Sequence, residues 1–225
     1  MPSFFAAVTG FMAVPEGVCS VMTKTVALAA MLTIAFVTGT EPGKWFRRYE
    51  ELTGSRLETV PSDDPLVLVG KQATAALVRL PDERVTDEHH VVRLYEEAAG
   101  VAVPKDSLYA EVGEVTREDL ADEIVNFDGQ SPIDDLRSAL QVVAANVGVA
   151  YAPLPLLKNL ARKQIKALEL AGEEPATQIA LVWRKVDDSD AVQDFVGVTK
   201  GRTVRSSRSS RGKSHPRSGA KRAQR

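Results

Sequence analysis

Residues 133–153 read IDDLRSALQVVAANVGVAYAP. Leu136, Leu140, Val143 and Val147 recur at helical spacing, Gly148 ends that periodicity, and VAYAP is an apolar run of strand length. The same alternation continues on both sides. Upstream lie the strand-like LTIAFV (32–37), a helix TEPGKWFRRYEELTG (40–54), the strand RLETVP (56–61), a short helix or turn PLVLVGKQ (65–72) and the strand ATAALVRL (73–80). HHVVRLYEEAAGVAVP (89–104) holds one or two further strands broken near Gly100. TREDLADE (116–123) is a short helix whose Thr116-x-x-Asp119 spacing makes a capping box, and EIVNF (123–127) is a strand. Downstream come a helix opening at LPLLKNLARK (154–163), the strand TQIALVWRK (177–185) and an amphipathic helix DSDAVQDFVGVTK (188–200). Strands separated by helices predict an α/β fold with largely parallel sheets. No internal repeat is visible.

In the first of those helices Thr40 can cap, Pro42 suits the first turn, Gly54 suits the end, and Trp45, Tyr49 and Leu52 share one face. The chain has 225 residues, 44% hydrophobic and 26% charged, ordinary for a globular protein with real cores. Its net charge of -2 hides an asymmetry. Residues 200–225 hold ten Lys and Arg and no acid, while the preceding 199 residues carry a net -12. With almost no apolar residue from Gly201 onward, that tail cannot bury a core and is expected to be disordered. Its basic residues Arg202, Arg205, Arg208, Arg211, Lys213, Arg217, Lys221 and Arg222 suit salt-sensitive binding to a nucleic acid, without base stacking, because no aromatic residue is interleaved. A solubilising tail, or one folded back on the acidic body, are the alternatives.

Residues 1–30 form a leader of poorly specified structure. Met22-Thr23-Lys24 followed by TVALAAMLTIAFVTG has the outline of a secretory signal, but MLTIAFV is an equally good buried first strand, and Met22 or Met31 would serve as the start. The segment is too short to span a bilayer, so no membrane association is expected and a cytoplasmic location is. Cys19 is the single cysteine, so no intramolecular disulfide forms. One cysteine and the three histidines give no metal-ligand spacing, and the adjacent His89 and His90 are expected in a solvated loop. Gly-x-Ser-x-Gly, a phosphate-cradling glycine loop and a Cys/His pair are all missing, so neither an enzyme nor a cofactor is expected. Asp63-Asp64 and Asp134-Asp135 are expected as helix-start residues.

The order of the pieces resembles the effector-binding (substrate-binding) domain of LysR-type transcriptional regulators. The resemblance covers about residues 31–199 and rests on LTIAFVTGT, GKQATAALVRLP, GVAVPKDSL, VTREDLADE and SALQVVAANVGVAYAPLPLL, taken in that order. Thr74 stands where the family usually has an acid, and Asp106-Ser107-Leu108 where it usually has His-Pro-Leu. The thirty leading residues do not supply the family's winged helix-turn-helix, so an effector-sensing half without its DNA reader is expected.

The resemblance implies a type 2 periplasmic-binding-protein fold, two α/β lobes with a ligand held between them. Residues 31–98 and 179–199 would form the first lobe and 99–178 the second, with crossings near Ala98-Ala99-Gly100 and Gln178-Ile179-Ala180. Ligands in open α/β sheets bind beyond the carboxyl ends of strands. Those ends are Thr38-Gly39-Thr40, Pro61-Ser62-Asp63, Arg79-Leu80 and Asn126-Phe127-Asp128. The candidate ligand-binding residues are therefore Thr38, Thr40, Ser62, Arg79, Asn126 and Ser131. Thr40 either caps its helix or also contacts the ligand, and Ser62 is a ligand hydroxyl or a turn residue. Arg79 is a bidentate hook for a small anionic metabolite or the partner of Asp82 or Glu83. The resemblance also implies a homodimer through lobe edges, and a regulatory, non-catalytic role in transcription.

Overall fold

The computed structural model describes residues 31–129, 132–175 and 177–201. The leader, Ser131 and the basic tail from Arg202 lie outside the described residues, and with them the expectations placed there. In chain order the elements are β1 (Leu32–Val37), α1 (Gly43–Thr53), β2 (Leu57–Ser62), β3 (Ala75–Leu80), β4 (His89–Glu97), β5 (Ala99–Pro104), β6 (Glu114–Val115) and β7 (Val125–Asp128). They continue as α2 (Ile133–Ala144), β8 (Val149–Pro153), α3 (Leu154–Leu160), β9 (Ile165–Leu170), β10 (Thr177–Arg184) and α4 (Asp190–Thr199).

Among the described residues two five-stranded sheets result, ordered β2-β1-β3-β10-β4 and β6-β9-β5-β8-β7. In the first, β1 runs parallel to β2 and β3, with Ile34 opposite Ala75, whereas β10 is antiparallel to both β3 and β4. In the second, β5 is antiparallel to β8 and β9, while β6 and β7 run parallel to their neighbours. The expected largely parallel sheets are thus corrected to mixed ones. Each contains a single reversed strand, and that strand follows a passage from one sheet to the other. The chain leaves the first sheet after Glu97, enters the second at Ala99, and returns between Leu170 and Thr177.

Strands covered on both faces read as unbroken apolar runs. Ala75, Ala76 and Leu77 of β3 have no exposed surface, nor do Leu181 and Val182 of β10. Each sheet has two such covered faces. On the first, Ile34, Leu77 and Leu181 pack beneath α1 and α4 with Phe195 of α4, and Ala35, Ala76, Val78 and Val182 face Leu66 of the 65–68 turn and Val69 just after it. Phe195 lies 6.0 Å from Phe46 and 5.9 Å from Tyr49 between ring centroids, a spacing at which aromatic pairs contribute about 0.5–1.5 kcal/mol each beyond burial. On the second sheet, Leu136, Leu140 and Val143 of α2 join Leu157 of α3, and Val101, Val103 and Leu168 pack on Leu120 from the other side.

Several local expectations hold. Tyr49 is buried, with Trp45 and Leu52 packed against the same core, and Gly54 closes α1 at φ 69° by donating its N–H to the Glu50 carbonyl. The Thr116–Asp119 box forms, the Asp119 carboxylate accepting from the Thr116 N–H at 2.8 Å and hydroxyl at 2.7 Å. Asp134 and Asp135 occupy the first turn of α2, where negative charge meets the positive helix end.

Others need correction. Thr40 does not cap α1: Pro42 is the N-cap residue and makes no side-chain cap bond, while the Thr40 hydroxyl donates to the Val37 carbonyl at 2.7 Å. His89 and His90 belong to β4, half-buried, with the His90 ring 5.1 Å from that of Trp183. The helix opening at Leu154 stops at Leu160, and β9 follows where helix formers (Lys, Ala, Leu, Glu) dominate. Its pairing with β5, Val101 opposite Leu168, overrides that propensity.

Candidate functional site

A cleft of about 570 Å³ opens where the strand ends of the two sheets face each other. From the first sheet it is lined by Val37, Asp63, Asp64, Val78, Arg79 and Arg84, and from the second by Phe127, Ile133, Leu136, Pro153 and Leu156. The walls are apolar and the rim is charged, as in small-molecule sites generally.

Gly39, just past β1, shows how close the two halves come. Its φ is +90°, and a Cβ there would lie 2.9 Å from Arg79 Nη2 and 2.9 Å from the Leu156 Cα. Only a glycine lets the β1 loop pass at this distance.

Arg79 does line the cleft, but as a tied group. Its Nε donates to Glu97 Oε2 at 2.6 Å, Nη2 to Glu97 Oε1 at 3.1 Å, and Nη1 to the Thr38 carbonyl at 2.8 Å. Neither Asp82 nor Glu83 is its partner. Glu97, whose side chain is fully buried, also accepts from the Thr177 hydroxyl at 2.7 Å. Glu97 is the last residue before one crossing and Thr177 opens the strand after the other, so the triad pins both crossings to the first sheet.

The remaining candidates stand as follows. The Thr38 hydroxyl donates to Asp63 Oδ1 at 2.5 Å and so orients a cleft carboxylate, while Ser62 Oγ accepts from the Asp64 backbone N–H at 3.1 Å, a local turn bond. Thr40 is buried with its hydroxyl turned to the backbone. Asn126 donates to the Val147 carbonyl at 2.8 Å and secures the turn before β8.

Sequence reasoning missed Arg137. From the second turn of α2 it reaches across to the first sheet's half, donating to Asp63 Oδ2 at 2.7 Å and Oδ1 at 2.9 Å, and to Asp134 at 2.7 Å. Arg84 is likewise held by Asp64 and Asp82, both within its own sheet's half. Asp64 was read from sequence as a helix start, but it makes no cap bond to the turn it precedes. The one available signal was Asp63 at the end of β2. Its distant cation could not be read from spacing, because 74 residues separate the partners.

The hydrogen bonds from Arg137 hold the Asp63 carboxyl below its ordinary range, helped by Thr38 and opposed by partial burial. A depressed folded pKa contributes stability above the ordinary carboxylate value, about 3.9, that is lost as pH falls through the folded one. Asp63→Asn is therefore expected to lose less thermal stability than the unmodified chain between about pH 5 and about pH 3, measured by scanning calorimetry. Since both side chains are 38% exposed, the difference will be small.

Among the described residues no group of three or more His, Cys, Asp or Glu could hold a metal ion. No helix among them is long and apolar enough to cross a membrane.

Two mixed sheets joined by two crossings, with a cleft at the strand ends, define a two-lobed α/β fold. More narrowly, this is the fold of LysR-family effector-binding domains, and residues 125–203 match the LysR substrate binding domain family. The BenM effector binding domain, solved with its effector benzoate, is 17% identical, with a TM-score of 0.58 over 86% of this chain and 98% of that one. A full-length OxyR variant from Pseudomonas aeruginosa is 15% identical, with a TM-score of 0.57 over 79% and 69%. CbnR, a LysR family transcriptional regulator, is 12% identical, with a TM-score of 0.57 over 76% and 68%. No protein of curated function matches the sequence.

Proposed function

We propose that this chain is a non-catalytic regulatory sensor that binds a small, carboxylate-bearing metabolite in the cleft between its two sheets. The observation that carries the reading is the Asp63–Arg137 pair, a bidentate carboxylate–guanidinium contact that joins the two halves at the cleft residue Asp63. Arg137 already grips a carboxylate in the geometry an effector would use, so the anion-binding role expected of Arg79 passes to Arg137. The effector's carboxylate takes the place of Asp63 and shifts the balance between open and closed arrangements of the two halves. BenM's effector is a carboxylate, benzoate, held by a domain of this fold. A cytoplasmic location and a homodimer accord with a role in transcription. The nucleic-acid reading of the tail stands beside this one as a proposal that rests on charge alone.

Titration calorimetry of the full chain against a panel of small carboxylates tests the site. A compound that binds should lose about 10- to 100-fold in affinity with Arg137→Ala, the equivalent of one charged hydrogen-bonded contact. Unchanged affinity would place the site elsewhere.

A further inference from the structure

Among the described residues, each charged group that lines the cleft is engaged by a group of opposite sign, and Arg137 reaches it through Asp63. Arg79 is bound by Glu97, Arg84 by Asp64 and Asp82, and Arg137 by Asp63 and Asp134. Among the described residues no buried side-chain N or O atom lacks a hydrogen-bond partner. An effector therefore enters by exchanging partners, not by filling vacant donors.

The three clusters differ in what exchange costs. Taking Glu97 from Arg79 strands a carboxylate with no exposed surface. Arg84 is gripped on both sides by carboxylates of its own half, so removing one leaves the other in place. Asp63 and Arg137 are each 38% exposed and come from different halves, Asp63 from just past β2 and Arg137 from α2, so a small opening of the cleft separates them. Exchange is easiest there.

The charge of the entering molecule then follows. A plain carboxylate on Arg137 leaves Asp63 with only the Thr38 hydroxyl, beside Asp64 and a second anion. A plain cation on Asp63 leaves Arg137 with Asp134 alone. A molecule carrying both charges a few bonds apart replaces each lost contact at once. The three carboxylates lining the cleft, Asp63, Asp64 and Asp82, against two arginines, Arg79 and Arg84, also oppose a further net negative charge. Phe127, Ile133, Leu136 and Leu156 line the same cleft with apolar surface.

We infer that the effector is zwitterionic, an α-amino acid with an apolar side chain or a close analogue. Its carboxylate sits on Arg137, its ammonium on Asp63, and its side chain against Phe127, Ile133, Leu136 and Leu156. This deepens the reading of the cleft as the effector site and rests on it.

The test is titration calorimetry of the full chain with L-leucine and L-phenylalanine. It is repeated with their carboxylate-only counterparts, 4-methylpentanoate and 3-phenylpropanoate, and their amine-only counterparts, 3-methylbutylamine and 2-phenylethylamine. The expected result is that an amino acid binds at least about tenfold more tightly than either of its one-charge counterparts. In Asp63→Asn, checked for native folding by circular dichroism, the carboxylate-only compound should come within about threefold of the amino acid, because the anion it would crowd is gone. Equal binding of the amino acid and its carboxylate-only counterpart to the unmodified chain overturns the zwitterion and leaves the cleft standing. Amino-acid binding that Arg137→Ala does not weaken overturns both. Absence of binding by either amino acid at millimolar concentration overturns the inference.

Discussion

Glu97→Ala is expected to destabilise the protein by about 3–5 kcal/mol, because it leaves the Arg79 guanidinium, only 14% exposed, without its counter-charge. For a chain of this size the midpoint of thermal unfolding should fall by about 6–20 °C. Three donors converge on this carboxylate, two from Arg79 and one from Thr177, and its side chain has no exposed surface. The double variant Arg79→Leu with Glu97→Leu should recover most of the loss, since apolar side chains often replace a buried ion pair at little cost. Scanning calorimetry of the single and double variants decides it. A loss below about 1 kcal/mol for Glu97→Ala would mean that water reaches Arg79 and that the pair is a surface one.

Gly148→Ala should cost at least about 3 kcal/mol, the upper end of what single substitutions do. Gly148 has φ +62°, and a Cβ there would lie 2.0 Å from the Ile124 carbonyl oxygen. That oxygen accepts the Val149 N–H at 2.8 Å, next to where β7 and β8 begin to pair. A left-handed backbone alone costs a non-glycine residue about 1–2 kcal/mol. The collision adds displacement of a backbone that cannot rotate away. Gly54→Ala is the matched control, with φ +69° and nothing within 4 Å of its Cβ position, so only the conformational cost of about 1–2 kcal/mol applies. Equal midpoints of chemical denaturation for the two variants would remove the collision from the account.

Gly148 also marks how far local pattern could be read. The sequence placed it as the break between helix and strand, and the break is there, although α2 ends at Ala144 and Asn146 turns at φ 65° before it. β3, β8 and β10 were legible because strands covered on both faces carry apolar residues throughout. β9 was not, since IKALEL has the composition of a helix and is held extended by its pairing with β5. The site was legible in outline only. Strand ends located the cleft, and Arg79 and Asp63 lie on it, but which cation faces which carboxylate depends on partners 18 and 74 residues apart.

The sequence by itself determined most of the run of strands and helices, the close of α1 at Gly54, and the likeness to LysR effector-binding domains, all consequences of periodicity and residue order. Tertiary structure alone decided strand direction, the burial of Glu97 against Arg79, and the reach of Arg137 to Asp63. Charges pair according to distance in space, and no spacing along the chain encodes the distance between two sheets that pack after the elements have formed.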